Sequence, residues 1–211
     1  MTLNHFFVTA SQETFEAVCA EKELGAIEKR TTVRKDRTYT GVYLYGENTY
    51  IELLDPGSDL GAPCGIAWHG RIGERELVYR ADAPWFWMSR AEPKFTGLAD
   101  WGMEYVPAWF GRSDGVSRAE ALTQYVAACG KLRERDEGLF EDVVGLEVSL
   151  SPRDLEVWRT RIEGGEIDVK PAERTAIAAA RLRLRRDAGR RELELGTTIL
   201  SLDGRTAVWR F

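Results

Sequence analysis

Two short stretches decide how this chain reads: YIELLDP (residues 50–56) and GMEYVP (residues 102–107). Each is a β-rich run with a glutamate near its end, Glu52 three residues before Asp55-Pro56 and Glu104 three residues before Pro107. A proline cannot donate to a strand ladder, so each run closes a strand there. Similar closing strands, each ending a unit of roughly 55 residues, mark an internal repeat.

Working back from Glu52, TYTGVYLYGENTYIELLDP gives two strands around Gly46-Glu47-Asn48, a hairpin pattern. Before it, SQETFEAVCAEKELGAIEKR has Ser11 as N-cap and apolar Phe15, Val18 and Cys19 at helical spacing. With LNHFFVTA (residues 3–10) as first strand and a further strand near Arg30–Val33, the first 56 residues predict β-α-β-β-β. The second unit repeats this weakly. PCGIAWHGRIG and PWFWMSR read as strands, GERELVYRAD as a short helical or irregular piece, and ADWGMEYVPAWF closes the unit near Phe110.

Residues 113–142 read as a helical connector, with Ser117 as N-cap, Glu120 at the capping-box position and Gly130 ending the helix. KLRERDEG then reads as a linker or a solvated second helix. Residues 143–211 predict a third β-α-β-β-β unit. Ser151 caps its helix with Pro152 at the first helical position, and two hairpins turn at Asp187-Ala188-Gly189 and Asp203-Gly204. The expected fold class is therefore α+β, with paired β-α-β-β-β units over residues 1–112, a connector and a third unit.

Composition narrows the function. A net charge of −5 gives no general attraction to nucleic acid or an anionic surface. The alternating RLRLRRDAGRR reads as a half-exposed strand, so no nucleic-acid partner is expected. No apolar run suffices to span a membrane. There is no basic and apolar signal region at the start, and the three cysteines (Cys19, Cys64, Cys129) form no C-x-x-C pair. Reduced thiols and a cytoplasmic location are the expectation.

The order of elements, with LNHFFVTA and TYIELLDP, resembles the vicinal oxygen chelate superfamily of glyoxalase I, extradiol dioxygenases and bleomycin-resistance proteins. The likeness covers residues 1–110 well and residues 143–211 only as topology; it is nearest to glyoxalase-like proteins of unassigned activity. The resemblance implies that the paired units form a cupped mixed sheet, with metal ligands on the first and fourth strands of each unit, which here gives His5, Glu52 and Glu104. Aligning HFFVT with GIAWH puts Gly65 where the fourth ligand belongs. His69 shares that strand's face but lies about 13 Å further along, at roughly 3.3 Å per residue.

One imidazole and two carboxylates on a cupped sheet suit a divalent metal (Zn, Ni, Mn or Fe) with sites open to substrate oxygens. No nucleotide or flavin is expected. Without metal, two inward glutamates near each other would have one pKa raised by repulsion and desolvation, which suits acid–base work. Trp68, Trp85, Trp87, Trp101 and Trp109, like Tyr43, Tyr45 and Tyr50, are divided between core and cavity wall. Of these, Trp68, Tyr50, Trp87 and Trp101, with His69, are the candidate ligand-binding residues. The implied function is a lyase- or isomerase-type enzyme acting on a small oxygenated molecule through Glu104, Glu52 and His5. The alternatives are a metal-free binding or sequestering protein and a cofactor-independent enzyme of natural-product metabolism. In the third unit Gly145 stands at the histidine position and no ligand survives. That unit either covers the sheet or forms the subunit interface of a homodimer.

Overall fold

Near-continuous buried runs make the central strands of the first sheet, and period-two alternation marks strands such as Ile27–Val33 and Thr198–Asp203, in a computed structural model that describes residues 2–33, 37–58, 60–80, 82–161 and 166–211. The first unit is β1 (Thr2–Thr9), α1 (Gln12–Ala20), β2 (Ile27–Val33), β3 (Thr38–Tyr45) and β4 (Tyr50–Leu54). Ser11 caps α1 by accepting from the Thr14 amide. The second is β5 (Cys64–His69), β6 (Glu74–Arg80), β7 (Ala83–Arg90) and β8 (Ala99–Tyr105). These eight strands form one curled, mixed sheet in the order β2-β3-β4-β1-β5-β8-β7-β6. Outward from the central β1–β5 pair, each half presents a parallel neighbour, β4 or β8, and then two antiparallel strands.

Among its described residues the second half has no α-helix. GERELVYRAD, expected to be helical or irregular, forms edge strand β6, with Glu74, Arg75 and Glu76 exposed. Charged residues blunt a sheet edge against further pairing, and that charge mimics a helix face in the sequence. A 3₁₀ turn at Pro107–Phe110 leads to α2 (Arg118–Ala128) and α3 (Leu132–Glu137). The capping box of Ser117 and Glu120 is present, and Gly130 has a φ of +68° just past the end of α2.

The C-terminal unit comprises β9 (Phe140–Leu150), α4 (Pro152–Arg159), β10 (Ile167–Pro171), β11 (Ala176–Leu184), β12 (Arg190–Leu195), β13 (Thr198–Asp203) and β14 (Thr206–Arg210). Its sheet runs β10-β9-β11-β14-β13-β12. It is therefore not a third β-α-β-β-β unit: β1 pairs in parallel with the last strand of its unit, β9 with the strand directly after its helix. Asp187–Gly189 is a crossover rather than a hairpin turn, because β11 pairs with β14 and not β12. The turn that does join β12 to β13 is at Gly196, whose φ of +65° favours glycine.

One continuous core lies between the two sheets. Leu3, Phe6, Ile51, Leu53, Ile66 and Trp68 from the curled sheet meet Leu146, Val148, Leu182, Leu200 and Trp209, with Phe15 and Val18 of α1 at the side. The C-terminal unit thus covers the sheet, and two buried aspartates fasten it there. Asp142 accepts from the Asn48 and Thr49 amides and the Thr49 hydroxyl at 2.8–2.9 Å, in the β3–β4 turn. Asp154 accepts from the amides of Thr96 and Gly97 at 2.7 and 3.0 Å, in the β7–β8 connection. Among the described residues no helix is long and apolar enough to cross a membrane.

Candidate functional site

The other face of the curled sheet encloses a cavity of about 470 Å³, with Leu122 and Tyr125 of α2 closing over it. Strand parity decides what faces it. On β4, Tyr50 and Glu52 line the cavity while Ile51 and Leu53 enter the core. On β1 a register slip between Leu3 and His5 leaves Asn4 unpaired opposite β5. That extra residue sends Leu3 into the core and His5 into the cavity, as a bulge re-aims a strand.

His5 is buried, stacked on Tyr50 with ring centres 4.1 Å apart, and meets the edge of Trp101 at 5.5 Å. The Asn4 amide donates to the Tyr105 hydroxyl at 3.2 Å, and its oxygen lies 2.9 Å from His5 Nδ1. This chain assigns the ring proton to Nδ1 and the lone pair to Nε2. Burial lowers the imidazole from 6.5 to about 3, so His5 is neutral.

Glu52 is 4% exposed and accepts a 2.5 Å hydrogen bond from the Tyr43 hydroxyl. Burial lifts its carboxyl from 4.5 to about 7, against the opposing pulls of that hydroxyl and of Arg30. Burial and the neighbouring Glu52 also push the Tyr43 phenol well up. Arg30 lies 4.1 Å from the centre of the Tyr43 ring and forms an ion pair with Glu28, which accepts from Tyr45 at 2.7 Å. Burial works against the charge on Arg30, but Tyr45, Tyr43 and Glu28 outweigh it and hold the guanidinium charged. Gly41 gives this group its room: it pairs with Arg30 across the ladder, and a Cβ there would meet Glu52 Oε1 at 3.1 Å and the Tyr43 ring at 3.3 Å.

The expected triad does not assemble. Glu104 is absent from the cavity wall, where its strand neighbours Trp101, Met103 and Tyr105 stand. It is on the opposite face beside Trp87, its cross-strand partner, with Arg75 Nη1 3.6 Å from Oε2. The strand pairing explains this. β4 sets Tyr50 and Glu52 beside His5 and Phe7, whereas β8 sets Ala99 and Trp101 beside Gly65 and Ala67. When Gly65 is matched to His5, as the resemblance has it, the counterpart of Glu52 is Trp101, three residues before Glu104. Gly65 has no space for any ligand, because a Cβ there would sit 2.3 Å from the Phe7 ring and 2.7 Å from the Ala99 carbonyl.

Of the candidate binding residues, Tyr50 and Trp101 line the cavity and Trp68, Trp87 and His69 do not. Trp68 is a core residue on the far face, and Trp87 lies under the Arg75 guanidinium at 4.5 Å. His69 ends β5 near Tyr105 with a buried, unpartnered Nδ1, and burial and Arg118 lower its pKa. Sequence reasoning missed Asn4, Arg30, Tyr105 and Tyr125. The alternation of Glu28 and Arg30 along β2 is the signal that marks that strand's cavity face.

Among the described residues one trio of acidic groups has ligand atoms within 4.8 Å of one another, Glu47, Glu141 and Asp142. Arg183 binds Glu141 and Asp142 at 2.7 and 3.1 Å and Arg185 binds Glu47 at 2.5 Å, so these carboxylates form an ion-pair network. The cavity's donors are the His5 imidazole, the Glu52 carboxyl held by Tyr43, and Asp100, which Arg161 already pairs, and they do not fit the three-residue metal set implied by the resemblance.

A family model described as a family of unknown function (DUF5829) matches residues 3–73, which spans His5, Glu52 and Gly65 and ends before Glu104. No curated protein and no solved structure matches the chain.

Proposed function

We propose that residues 1–112 form a curled sheet of the vicinal oxygen chelate type whose cavity works without the metal triad, binding a planar oxygenated small molecule and moving a proton on it. The observation that carries this reading is the meeting of Glu52 and His5 in one aromatic cavity. A carboxyl near 7 exchanges its proton readily at neutral pH. The Tyr43 hydroxyl orients it, and His5 offers a neutral acceptor nitrogen. An isomerase-type step needs no more than this. Glu52 as carboxylate takes a proton from a carbon beside a carbonyl, electrons move to the carbonyl oxygen as an enolate, and the proton returns at another carbon. Tyr50, Trp101 and Phe86 supply flat apolar walls.

Those same walls favour a second reading, a binding protein that sequesters an aromatic molecule without converting it. Hydrogen exchange into D₂O at the acidic C–H bonds of 2-tetralone and phenylacetone, followed by NMR with binding measured alongside, separates the two. The enzyme reading expects about a hundredfold acceleration, abolished in Glu52→Gln. Binding without acceleration selects the sequestering reading, and neither binding nor exchange sinks both.

A further inference from the structure

The chain is acidic overall, yet the cavity wall carries Arg30, Arg37, Arg80, Arg90 and Lys94 against Glu52 and Asp100. Several of these charges are already matched: Asp100 by Arg161 at 2.5 Å, Lys94 by Glu92 at 3.2 Å and Arg30 by Glu28 at 3.3 Å. Arg80, at the end of β6, has no ion-pair partner among the described residues. Its exposed guanidinium stands at the cavity rim, 5.4 Å from the centre of the Trp85 ring.

The same corner holds two donors with nothing to donate to. The Tyr125 hydroxyl and Trp85 Nε1 are buried without a hydrogen-bond partner, on rings 6.0 Å apart that both line the cavity. Arg80 stands beside that hydroxyl, but as a cation it cannot accept from it. Leaving buried donors unpaired costs free energy, so an unpaired group needs an explanation. Here the shortage is of acceptors alone, next to an unmatched positive charge. We propose that this corner takes the carboxylate of the ligand, so that the cavity's substrates are planar aromatic acids. The inference rests on reading the cavity as a small-molecule site. The Arg80 guanidinium holds the carboxylate, Tyr125 and Trp85 turn their hydrogens to it, and the ring system lies along Tyr50, Phe86 and Trp101 towards Glu52.

Isothermal titration with benzoate, 2-naphthoate and anthracene-9-carboxylate, each paired with its carboxamide, tests this. The pairs share their ring systems and differ in charge. The best-fitting acid is expected to bind about tenfold or more tighter than its amide, as a charge-assisted hydrogen bond implies. Arg80→Gln brings the two to within about twofold. Tyr125→Phe, which keeps the ring, weakens the acid several-fold and the amide, whose carbonyl is a weaker acceptor, clearly less, and it carries the test if Arg80→Gln fails to fold. Equal binding of acid and amide by the wild type overturns the carboxylate site and leaves the small-molecule reading standing, as does an equal loss of both in the variants. If no acid and no amide binds, both ideas fall.

Discussion

Replacing Glu52 by glutamine tests the polarity of the cavity directly, because the buried carboxyl ties stability to pH in an unusual direction. A carboxyl raised from 4.5 to about 7 holds its proton more tightly folded than unfolded. Between those values the native state carries the extra proton, so stability falls as pH rises through the window and is level above it. At about 1.4 kcal/mol for each pH unit, the loss is about 3 kcal/mol. His5 works the other way. Lowered from 6.5 to about 3, it stays neutral in the native state while the unfolded chain takes up a proton. Its contribution therefore falls as pH drops from 6.5, and between about 4.5 and 6.5 the two slopes oppose each other. Glu52→Gln keeps an acceptor for the Tyr43 hydroxyl and removes the carboxyl's slope. Urea denaturation from pH 4 to pH 8, followed by tryptophan fluorescence, should show the variant gaining about 3 kcal/mol on the wild type between pH 4.5 and 7. A difference that stays flat across that window, or grows as pH falls, would refute the assignment of Glu52 as a buried, protonated acid.

Three further outcomes are expected from the geometry. Ni²⁺, Zn²⁺ or Mn²⁺ added to the purified protein should leave its melting temperature unchanged, and Glu104→Ala should cost less than about 1 kcal/mol, as expected for an exposed ion pair; a metal-dependent stabilisation abolished by His5→Ala would restore the triad. Asp142→Ala should destabilise by about 3 kcal/mol in the same denaturation assay, because it leaves the buried donors of Asn48 and Thr49 unpaired, and a loss below about 1 kcal/mol would show that the C-terminal unit is not held there.

The first half of the sheet was legible because its signals are local. Ser11, the Gly46–Asn48 turn and the alternation through Tyr50–Leu54 each fix an element within a few residues. His5 and Glu52 were singled out by the resemblance of their strands, and both strands set them in the cavity wall. Glu104 failed because the repeat was anchored on Pro107, and an odd error of three residues reverses the face of a strand. The register of β8 against β5 depends on pairing between distant strands, which Trp101 and Glu104 do not announce. The C-terminal unit misled in a related way. Asp187-Ala188-Gly189 has the composition of a hairpin turn, but β14 takes the place beside β11 that a hairpin would have given to β12. Trp68 and Trp87 illustrate a third limit, since tryptophan suits a core, an exposed cation–π contact and a cavity wall equally well.

Two glycines then account for why chemistry sits in one half of the cavity and not the other. Gly41 leaves space that the Glu52 carboxyl and the Tyr43 ring occupy, opposite its ladder partner Arg30. Gly65 leaves space that an apolar ring occupies, for Phe7 packs against its Cα, and Trp101 follows 5.9 Å beyond. The same device, a side chain omitted from a concave face, thus builds a hydrogen-bonded acid on one side and an aromatic wall on the other. A carboxyl beside such a wall is poorly solvated, and burial is the largest influence raising Glu52. Phe7 is also the ladder partner of Glu52, so the ring that fills the space at Gly65 belongs to the residue paired with the acid, and in the proposed reaction burial is what brings that proton within reach at neutral pH.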